Sequence, residues 1–243
     1  MTRVFKQMQG GVRFGAAVRL SGRQLARLVA VFENPDPTRG PALGGRQAVS
    51  RIYLDGIGPV VVKHYRRGGL VARVIRQTYV NFGKPRSRHE FEQLERVRQL
   101  GVDAPEPVAY AFCGTLVYRA WLISREILGA QSLAQLSRTS IERTHRAMDA
   151  LTRHVAVLVA HGIRHRDFHP GNVLVDSADR VFLIDFDKAD RYRGSRATLA
   201  GKYVRRWNRA VEKHGLPPVL TERMAISARA LPGERWPGTL SPR

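Results

Sequence analysis

The sequence predicts an α+β protein in two lobes, β-rich over residues 1–128 and compact and helical over residues 129–243. Three observations predict it. Short β-branched runs bounded by turn residues fill the first half, with one helical pattern set among them. After Gly129 the apolar spacing changes to that of helices. The chain has 243 residues and is 43% apolar, enough to bury a core in one large domain or two small lobes, which excludes a peptide or disulfide-stapled fragment.

Taken in order, Ser21 is placed to cap a helix from about Gly22 to Phe32, with Leu25, Leu28, Val29 and Phe32 on one face and Arg19, Arg23 and Arg27 around the other. Packing on the first lobe with a solvated basic face is favoured over lying on an anionic membrane, because the apolar stripe is short. A Gly/Pro-rich stretch from Arg39 to Arg46 precedes a hairpin: Val49, Ile52 and Leu54, a turn at Asp55-Gly56, then Val60-Val61-Val62-Lys63. A helix is expected from about Ser87 to Leu100, ended by Gly101 and Pro105, followed by strands near Val108 to Phe112 and Leu116 to Ile127. The second lobe should hold a short helix near Ser132 to Leu136, a long one from about Ile141 to His161, and another from Ala197 to His214. The segment from Leu231 to Arg243, with three prolines and two glycines, reads as a poorly ordered end.

Lys plus Arg total 41 and Asp plus Glu total 20, a formal charge of +21. Such a charge concentrates anionic partners without naming them. Arg-rich stretches such as Arg205-Arg206 lack a stacking aromatic pattern or a nucleic-acid motif, so no nucleic-acid partner is expected. Cys113 is the sole cysteine, which rules out an intrachain disulfide or cysteine-rich zinc site and fits a reducing cytosol. The longest charge-free apolar stretch, Pro107 to Tyr118, is far short of the roughly 20 residues that span a bilayer, and no signal core is expected at the N-terminus.

Chemistry concentrates in His165-Arg166-Asp167-Phe168-His169-Pro170-Gly171-Asn172 and Val181-Phe182-Leu183-Ile184-Asp185-Phe186-Asp187. A symmetric hairpin around Asp176-Ser177-Ala178-Asp179 would bring Asn172 opposite Asp185, two oxygen ligands at one end of a ribbon. Mg²⁺ is held by one or two protein oxygens plus substrate phosphates. Asp167 precedes Asn172 by five positions, the spacing of a kinase catalytic loop, in which the acid orients the acceptor hydroxyl and takes its proton. Asp167 is thus the expected base, and Asn172 and Asp185 the expected metal ligands.

Lys63, one of six lysines in the chain, ends a buried-type strand and is expected to serve nucleotide phosphates. Its expected partner is Glu90, which alone among Glu90, Glu92 and Glu95 shares a helix face with Leu94 and Val97. Lys63 and Glu90 would orient the α and β phosphates of ATP, and adenine would dock on the backbone near Ile123 to Ile127; Gly44 and Gly45, which do not form Gly-x-Gly-x-x-Gly, would either cradle phosphates through backbone amides or belong to an ordinary connecting loop. His161, His165 and His169 recur every fourth residue, but Pro170 and Gly171 break the helix that such zinc ligation needs, and His165 is expected to brace the loop instead.

These residues resemble the lipopolysaccharide core kinase family, and within it the kinases of 3-deoxy-D-manno-octulosonic acid (Kdo). The resemblance extends to Lys63-His64-Tyr65-Arg66-Arg67-Gly68-Gly69-Leu70-Val71, Arg86-Ser87-Arg88-His89-Glu90-Phe91, Gly101-Val102-Asp103-Ala104-Pro105-Glu106-Pro107-Val108-Ala109 and Ile184-Asp185-Phe186-Asp187-Lys188. It implies a protein-kinase-like fold and transfer of the γ-phosphate of ATP, with Mg²⁺, to a sugar hydroxyl of the lipopolysaccharide inner core. The expected acceptor is the 4-hydroxyl of Kdo on Kdo-lipid A. It also implies a cytoplasmic enzyme, peripheral on the anionic inner face of the inner membrane. The 58 residues after Asp185 leave little room for a peptide-gripping activation segment, which favours a small or glycolipid acceptor. Arg66 and Arg67 are the expected acceptor-binding residues, and Arg86, Arg88, Arg191 and Arg193 flank them, since guanidinium groups suit phosphate and carboxylate. Alternatives are a core heptose kinase, another small-molecule phosphotransferase, or a non-catalytic basic module for anionic lipid or RNA. The set of Lys63, Asp167, Asn172 and Asp185 speaks against the last.

Overall fold

The computed structural model describes residues 4–35, 38–39, 48–65, 79–80, 84–114 and 117–229. Gly44, Gly45, Arg66, Arg67 and the segment from Leu231 to Arg243 lie outside the described residues. The fold is mixed α/β, and the chain divides into two compact units, Met1–Gln99 with Ala104–Leu128, and Leu100–Asp103 with Gly129–Arg243.

The first unit is built on an antiparallel sheet. Its elements are β1 (Phe5–Gln9), β2 (Val12–Ala16), α1 (Gly22–Glu33), β3 (Thr38–Arg39), β4 (Ala48–Leu54), β5 (Gly58–His64), β6 (Tyr79–Val80), α2 (Arg86–Gln99), β7 (Pro107–Gly114) and β8 (Val117–Arg125). The strands run in the order β1-β2-β7-β8-β5-β4-β3, with β6 also paired to β8. The β1–β2 hairpin is absent from the sequence-based expectation. Its first strand is an edge strand with mixed side chains and no apolar alternation, so only its turn is diagnostic: Gly10 and Gly11 both have positive φ, at 55° and 73°, as a two-residue hairpin turn needs.

The Ser21 hydroxyl accepts the Gln24 amide hydrogen (3.2 Å) while the Gln24 side chain accepts that of Ser21 (2.7 Å), a reciprocal cap that starts α1. The helix buries Leu25, Leu28 and Phe32 against Phe14, Val60, Val62, Trp121 and Ile123. Phe32 stacks on Trp121 with ring centroids 4.3 Å apart, and Arg19, Arg23 and Arg27 are exposed. α2 is anchored to β7: Phe91 meets Tyr110 edge-on at 5.4 Å, and the Ser87 hydroxyl donates to the Ala111 carbonyl at 3.1 Å. Beside it, a Cβ on Gly15 would collide with the Tyr110 ring, so this crossing needs glycine on β2.

The second unit comprises β9 (Gln131–Ser132), α3 (Leu133–Thr139), α4 (Ile141–Ala160), β10 (Ile163–Arg164), a 3₁₀ turn (Pro170–Asn172), β11 (Val173–Val175), β12 (Val181–Leu183), β13 (Asp190–Arg191), α5 (Arg196–Lys213) and α6 (Val219–Arg229). The helix α6 has no counterpart in the sequence-based expectation, because its own pattern is weakly amphipathic. Tertiary contacts hold it: the Trp207 indole donates to the Leu220 carbonyl at 2.9 Å, and Leu220 and Met224 are buried. Buried Met148, Leu151, Val155, Leu158 and Val159 form the inner face of α4. Among the described residues no helix is long and apolar enough to cross a membrane.

The β11–β12 hairpin departs from the expected register by one residue. Val175 pairs with Val181 and Val173 with Leu183, so Asn172 faces Ile184 and Asp185 lies one step beyond. One residue fewer separates the paired positions than the expected register requires: the Asp176 amide donates to the Arg180 carbonyl (3.1 Å), which leaves Ser177, Ala178 and Asp179 to make the turn, and Asp179 takes a left-handed conformation, φ 59°. The Asp176 carboxylate accepts the amide hydrogens of Ala178 and Arg180, each at 2.9 Å, and holds the loop in that form.

Candidate active site

In the first unit, β5 pairs with β8, Lys63 standing opposite Leu122. The Lys63 ammonium lies 2.9 Å from Glu90 Oε1 and 2.7 Å from Oε2. The side chains of Lys63 and Glu90 are 12% and 2% exposed. The Tyr65 hydroxyl also donates to Glu90, and the Tyr65 ring lies under Lys63, 5.2 Å from its nitrogen. Burial makes such a pair a fixed, oriented charge rather than a loose surface contact. Glu92 instead meets Lys84 and Arg88, each at 2.9 Å, and their hydrogen bonds draw its carboxyl below the usual range against the opposing effect of burial, the largest single influence. At the end of β8, the amides of Arg125 and Glu126 donate to the carbonyls of Glu106 and Pro59.

In the second unit the loop after β10 is held from below. His165 is 2% exposed; its Nε2 contacts the Ile184 carbonyl at 2.9 Å and its amide donates to the Tyr203 hydroxyl at 2.9 Å. That hydroxyl donates to the Ile163 carbonyl at 2.9 Å, and burial pushes the phenol up so that it stays neutral. Phe168 is buried between Tyr203 and Trp207 of α5, with centroids 5.0 and 4.9 Å away, and Phe186 packs on His165 at 4.7 Å. His165 is therefore a structural brace, and burial drives its ring toward the neutral form.

On that base, Asn172 ties the pieces together. Its side-chain amide donates to the Asp167 carbonyl at 2.8 Å, its own amide donates to the His169 carbonyl at 2.8 Å, and its carbonyl accepts from Ile184 at 3.1 Å. With the NH₂ end engaged, the amide's oxygen is the end left to act as a ligand. Asp185 follows Ile184 with φ 66°, a conformation that costs a non-glycine residue energy and clusters at functional positions. His169 caps the 3₁₀ turn, accepting the Gly171 amide at 3.1 Å. Burial, aided by nearby His165 and Arg206, pushes its imidazole down to about 4. The Asp167 carboxylate holds two cations, Lys188 on Oδ2 at 2.8 Å and Arg206 on Oδ1 at 2.7 Å.

The structure thus brings Lys63 to Glu90 in the first unit, and Asp167, Asn172 and the Asp185 segment together in the second. Gly44, Gly45, Arg66 and Arg67 are outside the described residues. Lys188, Arg206 and Tyr65 escaped sequence reasoning. Lys188 could have been flagged as a scarce lysine three positions after Asp185, but nothing in the sequence signals that Arg206, on α5, reaches a loop 39 positions earlier. Among the described residues no group of three His, Cys, Asp or Glu side chains forms a metal cluster. A carboxylate and an amide oxygen nevertheless fit Mg²⁺, which takes few protein ligands when phosphates supply the others.

The braced loop with its hairpin in the second unit, and the buried Lys–Glu pair in the first, are each of a kind that phosphoryl transfer uses, and comparison with known proteins places the chain. The model of the Lipopolysaccharide kinase (Kdo/WaaP) family matches residues 44–214, and the chain belongs to that family. Similar proteins include the 3-deoxy-D-manno-octulosonic acid kinases of Vibrio vulnificus (34% identical over 134 residues, 52% of this chain and 55% of that one) and Photobacterium profundum (37% over 139 residues, 56% and 58%). That of Xylella fastidiosa is 32% identical over 134 residues, 54% and 53% of the two chains. The match spans a little over half the length of these relatives.

Proposed function

We propose that the protein is a two-lobed, protein-kinase-like enzyme that transfers the γ-phosphate of ATP to a sugar hydroxyl of the lipopolysaccharide inner core, the 4-hydroxyl of Kdo on Kdo-lipid A. The observation that carries this reading is the double tether of Asn172, by side chain to Asp167 and by main chain to Ile184. It sets a candidate base and two oxygen ligands on one rigid framework, and phosphoryl transfer depends mainly on positioning and electrostatics.

In this reading Lys63, oriented by Glu90, contacts the α and β phosphates, and Gly44 and Gly45 serve the nucleotide through their amides. Asn172 and Asp185 hold Mg²⁺, which when bound neutralises charge on the phosphates. Asp167 orients the acceptor hydroxyl and receives its proton as the new O–P bond forms and the bond to the ADP oxygen breaks. Lys188 and Arg206 fix the direction of that carboxylate, and Arg66 and Arg67 serve the acceptor. The protein works at the cytoplasmic face of the inner membrane, where the +21 charge and exposed Arg19, Arg23 and Arg27 favour an anionic surface.

The test is a transfer assay with γ-labelled ATP and Mg²⁺ on Kdo-lipid A beside heptosylated acceptors, followed by mass-spectrometric location of the phosphate. Label on the Kdo 4-hydroxyl is expected. Label on heptose would make the protein a core heptose kinase, and binding to anionic vesicles without Mg-dependent nucleotide binding would overturn the enzymatic reading.

A further inference from the structure

One cavity of the second unit has no role in the scheme above. It measures about 260 Å³ and is lined by Arg164, Arg166, Lys202 and Arg206, with Leu199 and Tyr203 among its other walls. Ligand sites commonly run from about 300 to 1,000 Å³, so this one suits a single sugar residue and not a lipid. We infer that this cavity is the acceptor subsite, which seizes the sugar through an anionic group, a carboxylate or a phosphate. The inference rests on the proposed phosphotransfer and names the part of the acceptor that the second unit reads.

Charge is the first argument. Asp190 serves both Arg164 and Arg166, at 2.7 and 2.6 Å, and Asp167 serves both Lys188 and Arg206. Lys202 has no ion-pair partner among the described residues; its nitrogen lies 5.9 Å from the centre of the Tyr192 ring, which also supports Arg164 at 5.5 Å. In these ion pairs four cations share two carboxylates, and Lys202 adds a fifth positive charge to the wall. Like charges so gathered repel unless an anion joins them, and guanidinium groups in a fixed fork match the two oxygens of a carboxylate or phosphate.

Position is the second. Arg206 is at once a wall of the cavity and the partner of Asp167 Oδ1 at 2.7 Å. An anion in the cavity is thus one guanidinium away from the candidate base, so binding it sets the acceptor's hydroxyls at a fixed distance from Asp167. The arrangement selects a sugar carrying its negative charge within one ring of the reacting hydroxyl, as a sugar acid does, and penalises a neutral sugar that leaves these cations unmatched.

The experiment compares the purified wild-type protein with Lys202→Met and Arg166→Gln. Neither residue is placed in the catalytic machinery, and the KM for ATP reports that each variant is intact. Kdo-lipid A is used in three forms: native, with the Kdo carboxylates methylated, and with the lipid A phosphates removed. Each variant is expected to raise the KM for native acceptor about tenfold, the effect of losing one charge-assisted contact, with the KM for ATP unchanged. If the carboxylate is the bound group, methylation weakens the wild type by a similar factor and Lys202→Met adds nothing further. If it is the phosphate, the dephosphorylated acceptor behaves that way instead. Brisk transfer by both variants with unaltered acceptor KM overturns the subsite while leaving the kinase intact. Absence of transfer by the wild type to every acceptor overturns the proposed function, and the subsite with it.

Discussion

Glu90 accepts hydrogen bonds to both carboxylate oxygens from the Lys63 ammonium, 2.9 and 2.7 Å away, while itself only 2% exposed. Removing the cation from such a pair strands a buried carboxylate, whereas removing both charges does not. Lys63→Met is expected to lower unfolding stability by about 3 kcal/mol, and Lys63→Met with Glu90→Gln to recover more than half of that, since a neutral amide can still meet the Tyr65 hydroxyl. Urea unfolding of the two variants and the wild type checks it. Nucleotide affinity should fall in both, because the double variant restores the fold and not the charge. Equal stability of the single and double variants would show that the pair is not desolvated.

The two aspartates differ in what their loss should do. Asp167→Ala is expected to lower kcat by about 10²- to 10⁴-fold, the usual worth of a positioned general base, with nucleotide binding kept. Asp185→Ala should weaken Mg-dependent nucleotide binding instead, shifting the Mg²⁺ titration of activity to higher concentration. Single-turnover kinetics beside equilibrium nucleotide binding separates the two. Wild-type behaviour in both variants would remove the assignment of roles.

Asp185 has φ 66°, which a β-branched side chain tolerates poorly and glycine freely. Asp185→Gly is expected to keep or raise the melting temperature while losing metal-dependent binding. Asp185→Val should be less stable than the glycine variant by about 1–3 kcal/mol, the range for a strained backbone position. The opposite order in thermal unfolding would mean that the backbone relaxes at this residue. A stability gain that accompanies loss of ligand binding is the pattern left by a residue kept for its chemistry.

Much of the frame could be read from residue order because local and tertiary preferences agree there. Val60-Val61-Val62 with Asp55-Gly56 before it makes the β4–β5 hairpin, and Ser21 with Gln24 starts α1 where the apolar face begins. Glu90 could be singled out because helix periodicity puts it beside Leu94, and both are buried. What escaped has a physical cause in each case. β1 is a polar edge strand, α6 is held by Trp207 rather than by its own pattern, and the left-handed Asp179 closes a three-residue turn that shifts the β11–β12 register by one. The contacts of Lys188 and Arg206 with Asp167 come from chain distances of 21 and 39 positions, which no local pattern encodes.

His169 supplies a pH dependence whose sign follows from its burial. Its imidazole is pushed from an ordinary value near 6.5 down to about 4 by burial first, then by His165 and Arg206, against the pull of Asp167 and Asp185. Between those values the unfolded chain binds a proton that the folded chain refuses, so unfolding stability rises with pH across that window. Stability should therefore be fully present above about pH 6.5 and decline as the pH falls toward about 4, below which this group has no further effect. His165 and His154 are shifted the same way, chiefly by burial, and add to the slope. His169→Asn keeps an acceptor for the Gly171 amide, since asparagine caps helical turns well, but cannot titrate. Melting temperatures of wild type and variant from pH 7 to pH 4, in metal-free buffer, should converge as the pH falls if the variant starts lower, with the variant's curve the flatter of the two. Parallel curves would show that His169 takes up its proton in the folded protein as readily as in the unfolded chain.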